Sequence, residues 1–457
     1  MARPKPKPRD EQRRFESHEL FFSTTDRAGV IRSGNEVFRR IAAFDSIDEM
    51  IGLPHNVIRH PDMPRAVFKL FWDFLESGKP VAAYVKNLAQ DGAYYWVVAL
   101  ATPIEDGYLS VRFKPSSPYF DAIKDIYKEL LATEAESGNK AGLRQEAMER
   151  AGIQLTEILR EKGFDSYDEF MRMMLATEMS SREKAIADHI RPKPKPGADP
   201  QLERSYKTCL DLEQKLDVMF RRVESFLSLI EKLESSSAFM GNLSGQVHLL
   251  SLNSLISSHQ MADSGKSLTV IANELAVISG HSTSLIDEMT TDIHALVSAL
   301  REAAFEISGT KLQVGISITF LEELLSGKSD AEASERERND LETLGTLLSR
   351  AAVDLKALVP LLSDPMSKVI ARVGDLAVVV RSLSRVHLIG RVEAAHVSNA
   401  ARFLELFDEV AHQLTAAQSE LRSFTNAIHS LSDGLPKFES DGNVLQAELD
   451  RLEMRAA

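Results

Sequence analysis

From about residue 210 onward the apolar residues recur at alternating steps of four and three, and few folds accept that period. Leu212, Leu216, Met219, Val223, Phe226, Ile230 and Leu233 follow it. So do Val410, Leu414, Ala417, Leu421, Phe424, Ile428, Leu431 and Leu435. A seam of this spacing stays buried only when helices wrap around one another, so the pattern predicts coiled-coil packing. A third run, Leu341, Leu344, Leu348, Ala351, Leu355, Leu358 and Leu362, keeps the same register. Its phase slips near Pro360 and Pro365, where a kink is expected.

The helical half also echoes itself. VHLLSLNSLISSHQMADSGKSLTVIANELAVIS at 247–279 resembles VHLIGRVEAAHVSNAARFLELFDEVAHQLT at 386–415. Each reads as a helix, a break rich in small residues, and a returning helix. Two such αα-hairpins in one chain can close a four-helix bundle, with the tips around Asp263 to Lys266 and Val397 to Ala400 near each other. An arm of about 60 residues spans roughly 90 Å.

Residues 19–117 have a different texture. Both tryptophans, Trp72 and Trp96, lie here, and the short runs LFFSTT, GVIRSG, AAYVKNL, YYWVVALATPI and YLSVRF are bounded by turn signals. The order is two strands, helices, then three strands, which predicts a small α+β domain on an antiparallel sheet. Residues 1–18 read as a disordered basic tail and 118–190 as a helical connector whose last helix is capped by Ser166. RPKPKPGADP at 191–200 reads as an extended linker. Hairpins are expected at 201–305 and 335–437, a connector at 306–334 with a polar chain reversal, and a tail or helix at 438–457.

The net charge of −13 argues against nucleic acid as a partner. One cysteine, Cys209, excludes an intrachain disulfide and fits a reducing compartment, so the cytoplasm is the expected location. The most apolar stretch, Val369 to Leu383, is broken by Arg372, Asp375 and Arg381, so no membrane span is expected. The histidines beyond residue 200 show no ligand spacing and read as surface residues rather than a metal set. No glycine-rich phosphate loop, HExxH or GxSxG motif occurs, and the chain does not read as an enzyme.

GLPHNVIRHPDMPR at 52–65 crowds two histidines, an arginine, an asparagine and an aspartate between three prolines. Prolines fix φ and remove donors, so the segment is rigid and not a long helix. Its polar side chains form either a self-satisfied turn with a local ion pair or a ligand site.

STTDRAGVI, GLPHNVIRHPDMPRAVF, VKNLAQDGAYYWV and ATPI resemble the PAS domain of bacterial aerotaxis receptors, over about residues 22–115. The resemblance implies an FAD-binding redox sensor, with Asn35, His55, Arg59, His60, Asp62 and Trp72 at the flavin pocket. Trp72 and Trp96 could offer planar apolar contact. Heme is the competing ligand, since one histidine suffices as its axial ligand.

A second resemblance, carried by LLSLNSLISSHQMADSGKSLTVIANEL at 249–275, is to the hairpin tip of methyl-accepting chemotaxis proteins. Leu252, Asn253, Ile256, Gly265, Val270, Ala272 and Glu274 match it. A glutamate and an arginine of that family are Ser257 and Gln260 here. The second hairpin has Glu393 but His396 for the arginine, and no paired Glu/Gln methylation pattern is found. The implied partners are signalling proteins, among them the chemotaxis kinase and coupling protein, with the departures at Ser257 and Gln260 counting against these two. The reading is a redox or oxygen sensor with a chemoreceptor-like output that signals by conformation. The alternatives are a heme-based gas sensor and a non-catalytic helical scaffold, and a homo-oligomer is compatible with each.

Overall fold

The computed structural model describes residues 6–136, 141–191, 199–260, 265–326, 331–397 and 400–449. Strands β1 (Phe21–Asp26) and β2 (Ile31–Gly34) precede helices α1 (Glu36–Ala42) and α2 (Arg65–Glu76). Strands β3 (Val81–Leu88), β4 (Tyr94–Ile104) and β5 (Gly107–Phe113) follow. They form one five-stranded sheet in the order β2-β1-β5-β4-β3, antiparallel at every pairing. This is the two-strand, helix, three-strand order expected from the sequence.

Helices α3 (Tyr119–Ala135), α4 (Ala141–Glu161) and α5 (Tyr167–Ile186) come next. Ser166 caps α5 as its sequence predicts, its hydroxyl accepting from Glu169 N at 3.2 Å. Four long helices complete the described chain: α6 (Pro200–His259), α7 (Lys266–Leu325), α8 (Ala331–Ala394) and α9 (Ala401–Leu449). The fold is therefore an α+β domain followed by a helical bundle. Among the described residues no helix is long and apolar enough to cross a membrane.

The chain divides into two compact units. The first comprises residues 1–220, 301–356 and 443–457. Here the sheet is covered on both faces. Side chains alternate across a strand, so Phe21, Ser23 and Thr25 of β1 face α1 and α2 while Leu20, Phe22 and Thr24 face the other way. The outer face packs on α7. Phe22 meets Phe320 edge-on at 5.4 Å, and Leu20 and Leu100 lie against Gly315 and Gly309. Residues 307–318 of α7 are buried all round.

That burial corrects the connector expected at 306–334, because residues 306–325 are helix and form part of the core of this unit. The stretch EISGTKLQVGISITF carries apolar or small residues on every side, as a fully buried helix does. The polar reversal read at 327–340 lies outside the described residues up to 330, and helix resumes at Ala331. The tail is corrected too. Arg9 N donates to Gly92 O and Arg13 N to Tyr94 O, both at 2.8 Å, so this part runs beside the β3–β4 turn with Arg13 paired to Asp91. The linker at 191–200 falls largely outside the described residues.

The second unit comprises residues 221–300 and 357–442. All four long helices contribute to its core, for example Val247, Leu275, Leu383 and Phe407. Both hairpin signals are thus packed within one chain. Along α8 the buried positions run Leu355, Leu358, Leu362, Met366, Val369 and Val373. The single four-four step at Leu362 is the phase slip expected there, and Pro360 and Pro365 both lie inside the helix. His387 corrects the surface reading of the histidines: it is buried and its Nε2 bonds to Phe407 O at 2.7 Å. Both hairpin tips lie mainly outside the described residues.

Candidate functional site

The inner face of the sheet and the covering helices line a pocket with a cavity volume of about 60 Å³. Its floor comes from alternate residues of four strands: Ser23 and Thr25, Ala83, Val85 and Asn87, Ala99 and Ala101, Tyr108, Ser110 and Arg112. Its roof is α2, through Val67, Phe68, Phe71, Trp72 and Leu75, with His55, Arg59 and Met63 from the preceding segment. The mainly apolar lining with a few convergent polar groups is that of a small-molecule site.

The proline-rich stretch folds as expected, without a long helix. Pro54 leads into a single 3-10 turn, His55–Ile58, and Pro64 starts α2. This turn carries His55 and Arg59 to the cavity. Arg59 Nη2 donates to Met63 O at 2.8 Å and its guanidinium lies 4.7 Å from the Phe68 ring. Trp72 closes one end, edge-on to Tyr108 at 5.5 Å. Gly29, at φ +76°, sits in the β1–β2 turn, where a Cβ would come within 2.8 Å of the Trp72 ring.

Arg112 is the one fully buried cation of the cavity wall. Its Nη2 donates to Ser23 Oγ at 2.9 Å and to His55 Nε2 at 2.5 Å. Burial pushes the guanidinium down to about 10. Burial first, and then the Arg112 charge, hold the His55 imidazole well below its ordinary value, so this histidine is neutral. Its lone pair at Nε2 is already used by Arg112, which leaves the proton on Nδ1. Two buried donors of the lining, Asn87 Nδ2 and Arg112 Nη1, have no hydrogen-bond partner among the described residues.

The six residues expected at the pocket divide evenly. His55, Arg59 and Trp72 line the cavity. Asn35 does not. It caps α1, its Oδ1 accepting from Phe22 N at 3.1 Å and Phe38 N at 3.4 Å, and its Nδ2 reaches Glu323 of α7 at 3.0 Å. His60 is buried outside the cavity, with Nδ1 accepting from Asp62 N at 3.0 Å. Asp62 is exposed and pairs with Lys86 at 2.8 Å. Burial opposes its ionisation, but Lys86 holds its carboxyl below the usual range. The His60–Asp62 pair is thus the local, self-satisfied turn. Trp96 also faces away, packing on Phe120 and Tyr127 of α3.

Sequence reasoning missed Asn87 and Arg112. The signal was there: in GYLSVRF an arginine falls in the same alternating register as Tyr108 and Ser110, and a charge on an inward face needs a partner.

Residues 35–111 match the family model of the PAS fold. The chain is 37% identical over 115 residues to the aerotaxis receptor of Escherichia coli (strain K12). That stretch is 24% of this chain and 22% of the receptor. The protein therefore carries a PAS-fold domain, and the long helices that follow are consistent with a chemoreceptor-like signalling region.

Proposed function

We propose that this chain is a redox or oxygen sensor whose PAS cavity holds FAD and whose helices carry the signal to other proteins. The observation that carries the reading is the pair of unpartnered buried donors, Asn87 Nδ2 and Arg112 Nη1, in a cavity walled by Trp72, Phe68 and Phe71. A planar heteroaromatic ring with acceptors at its edge satisfies both demands, while the aromatic wall covers its faces. Bound flavin would supply two-electron chemistry whose reduction changes the charge and hydrogen bonding at that edge. His55 fits heme poorly, because Arg112 already occupies its Nε2.

The chain's own residues suggest how a change in the cavity leaves it. Arg112 holds Ser23, on the inner side of β1. The neighbours Phe22 and Thr24 point outward, to Phe320 and to Ser33. One strand thus separates the cavity from α7, and a shift of the Arg112 guanidinium moves both faces together. In the second unit, exposed apolar residues on α6 and α7, among them Leu249, Ile256, Val270 and Val277, offer a surface for a signalling partner.

The absorption spectrum of the purified chain tests the ligand. Flavin bands are expected, and they should disappear in Arg112→Ala or Asn87→Ala but survive in Asp62→Ala. A Soret band, or full flavin in both cavity variants, would overturn the assignment.

A further inference from the structure

The outer corner of the PAS domain meets the long helices through two carboxylates, Glu323 and Asp340, that form no salt bridge among the described residues. Glu323 of α7 reaches over the N-terminus of α1, where its Oε1 accepts from Asn35 Nδ2 at 3.0 Å and its Oε2 from Glu36 N at 3.3 Å. Asp340 of α8 ends a short chain: Ser33 Oγ donates to its Oδ1 at 2.5 Å, and Thr24 Oγ1 lies 2.5 Å from Ser33 Oγ. Two strands and a helix start of the sensor are therefore fastened to two helices by two acidic groups, both in the first compact unit.

We propose that this contact is a proton-operated latch, which gives the chain a second input, ambient pH, beside whatever the cavity binds. The groups that face the latch are mostly acidic: Glu36 from α1 and Glu337 from α8, against Arg336, which itself pairs with Asp48 at 2.6 Å. Arg32 of β2 and Arg350 of α8 lie on the Asp340 side, together with Glu105, Asp106 and Glu342. Burial is the largest influence on both carboxyls and pushes each up to about 7. The Asn35, Glu36 and Ser33 donors and the Arg336 charge pull the other way and are outweighed. An undocked corner would return both groups to water and to their ordinary range near 4.

The sign follows. Both carboxyls bind protons more tightly when docked, so docking takes up protons and is favoured at low pH. The docked state is fully favoured near pH 4, weakens as pH rises, and loses this contribution above about 7. This sets the latch apart from the cavity, where burial and the Arg112 charge hold the His55 imidazole well below its ordinary value.

Spin labels at Asp45 and Ser349, in the full chain with Cys209→Ala, report the separation of the corner from α8. Pulsed-resonance distances should be narrow at pH 6 and broaden by pH 8.5, with a midpoint near 7. The double variant Glu323→Gln and Asp340→Asn carries neutral carboxamides and should lose the pH dependence. Ser33→Ala removes a donor that favours the ionised Asp340, so its midpoint should move up, a check that leaves both carboxyls in place. Distances that do not change between pH 6 and 8.5 in the wild-type background would overturn the latch. So would the same transition persisting in the double variant, or a Ser33→Ala midpoint that stays or falls.

Discussion

Glu178 shows how much one buried side chain can hold. It lies on α5 with no solvent exposure, and it accepts from Tyr84 OH at 2.6 Å, Ser116 N at 2.8 Å, Ser117 N at 3.1 Å and Ser117 Oγ at 2.8 Å. Ser116 Oγ adds a fifth donor at 3.3 Å, and five donors on two oxygens suit a carboxylate and no other side chain of that length. Glu178→Gln turns an NH2 toward two of those donors and should cost about 2–4 kcal/mol, while Tyr84→Phe removes a single donor and should cost about 1–2. Urea unfolding followed by tryptophan fluorescence separates the two values. At the cavity, Gly29→Ala both strains a positive φ and pushes on Trp72. It should destabilise the PAS domain by about 1–2 kcal/mol and weaken ligand binding in titration. Equal affinity for wild type and variant would mean that Trp72 does not shape the site.

At the scale of elements, the bundle relies on a few places where a large side chain fills the space left by a glycine. Gly390 of α8 faces Phe407 of α9, and a Cβ there would come within 2.1 Å of the ring. Alanine in a helix gains about 1 kcal/mol of propensity over glycine, but overpacking costs about 1–3. Since Ile271 also closes on this site at 2.9 Å, the ring has little room to move and overpacking should win. Gly390→Ala should lower stability by about 1–2 kcal/mol in calorimetry, and Phe407→Leu in the same chain should restore part of it. A stabilised single variant would show that the helices separate freely at this point. Along α7 the comparable positions are Gly309 and Gly315, which let the helix lie close to the sheet.

For the whole molecule, closing the second unit within one chain has a thermodynamic consequence. Buried apolar residues of all four long helices pack into one core in this unit. This unit is then expected to fold without a second copy, and its melting temperature should not change with protein concentration. Calorimetry over a twentyfold range of concentration tests this, and a melting temperature that climbs with concentration would indicate helices shared between chains.

What could be read from residues alone follows from periodicity, which is local and repeated. A step of two marked the strands, and steps of three and four marked the helices; Leu212 to Leu233 and Leu341 to Leu362 are all buried as that spacing requires. The slip near Pro360 was legible for the same reason. Pairing across long separations is not periodic and was not legible. The buried face of α7 lies about 290 residues from Asn35 and Phe22, and nothing near either residue announces the contact. The cavity was half legible: the rigid turn that carries His55 and Arg59 is written in its prolines, but Asn87 and Arg112 join them only when the antiparallel register brings β3 and β5 beneath α2. Asn35, His60 and Asp62 are close to that turn or to β1 in sequence and still face elsewhere, because caps and local ion pairs satisfy them first. Spacing determines which residues share a face; packing determines what that face meets.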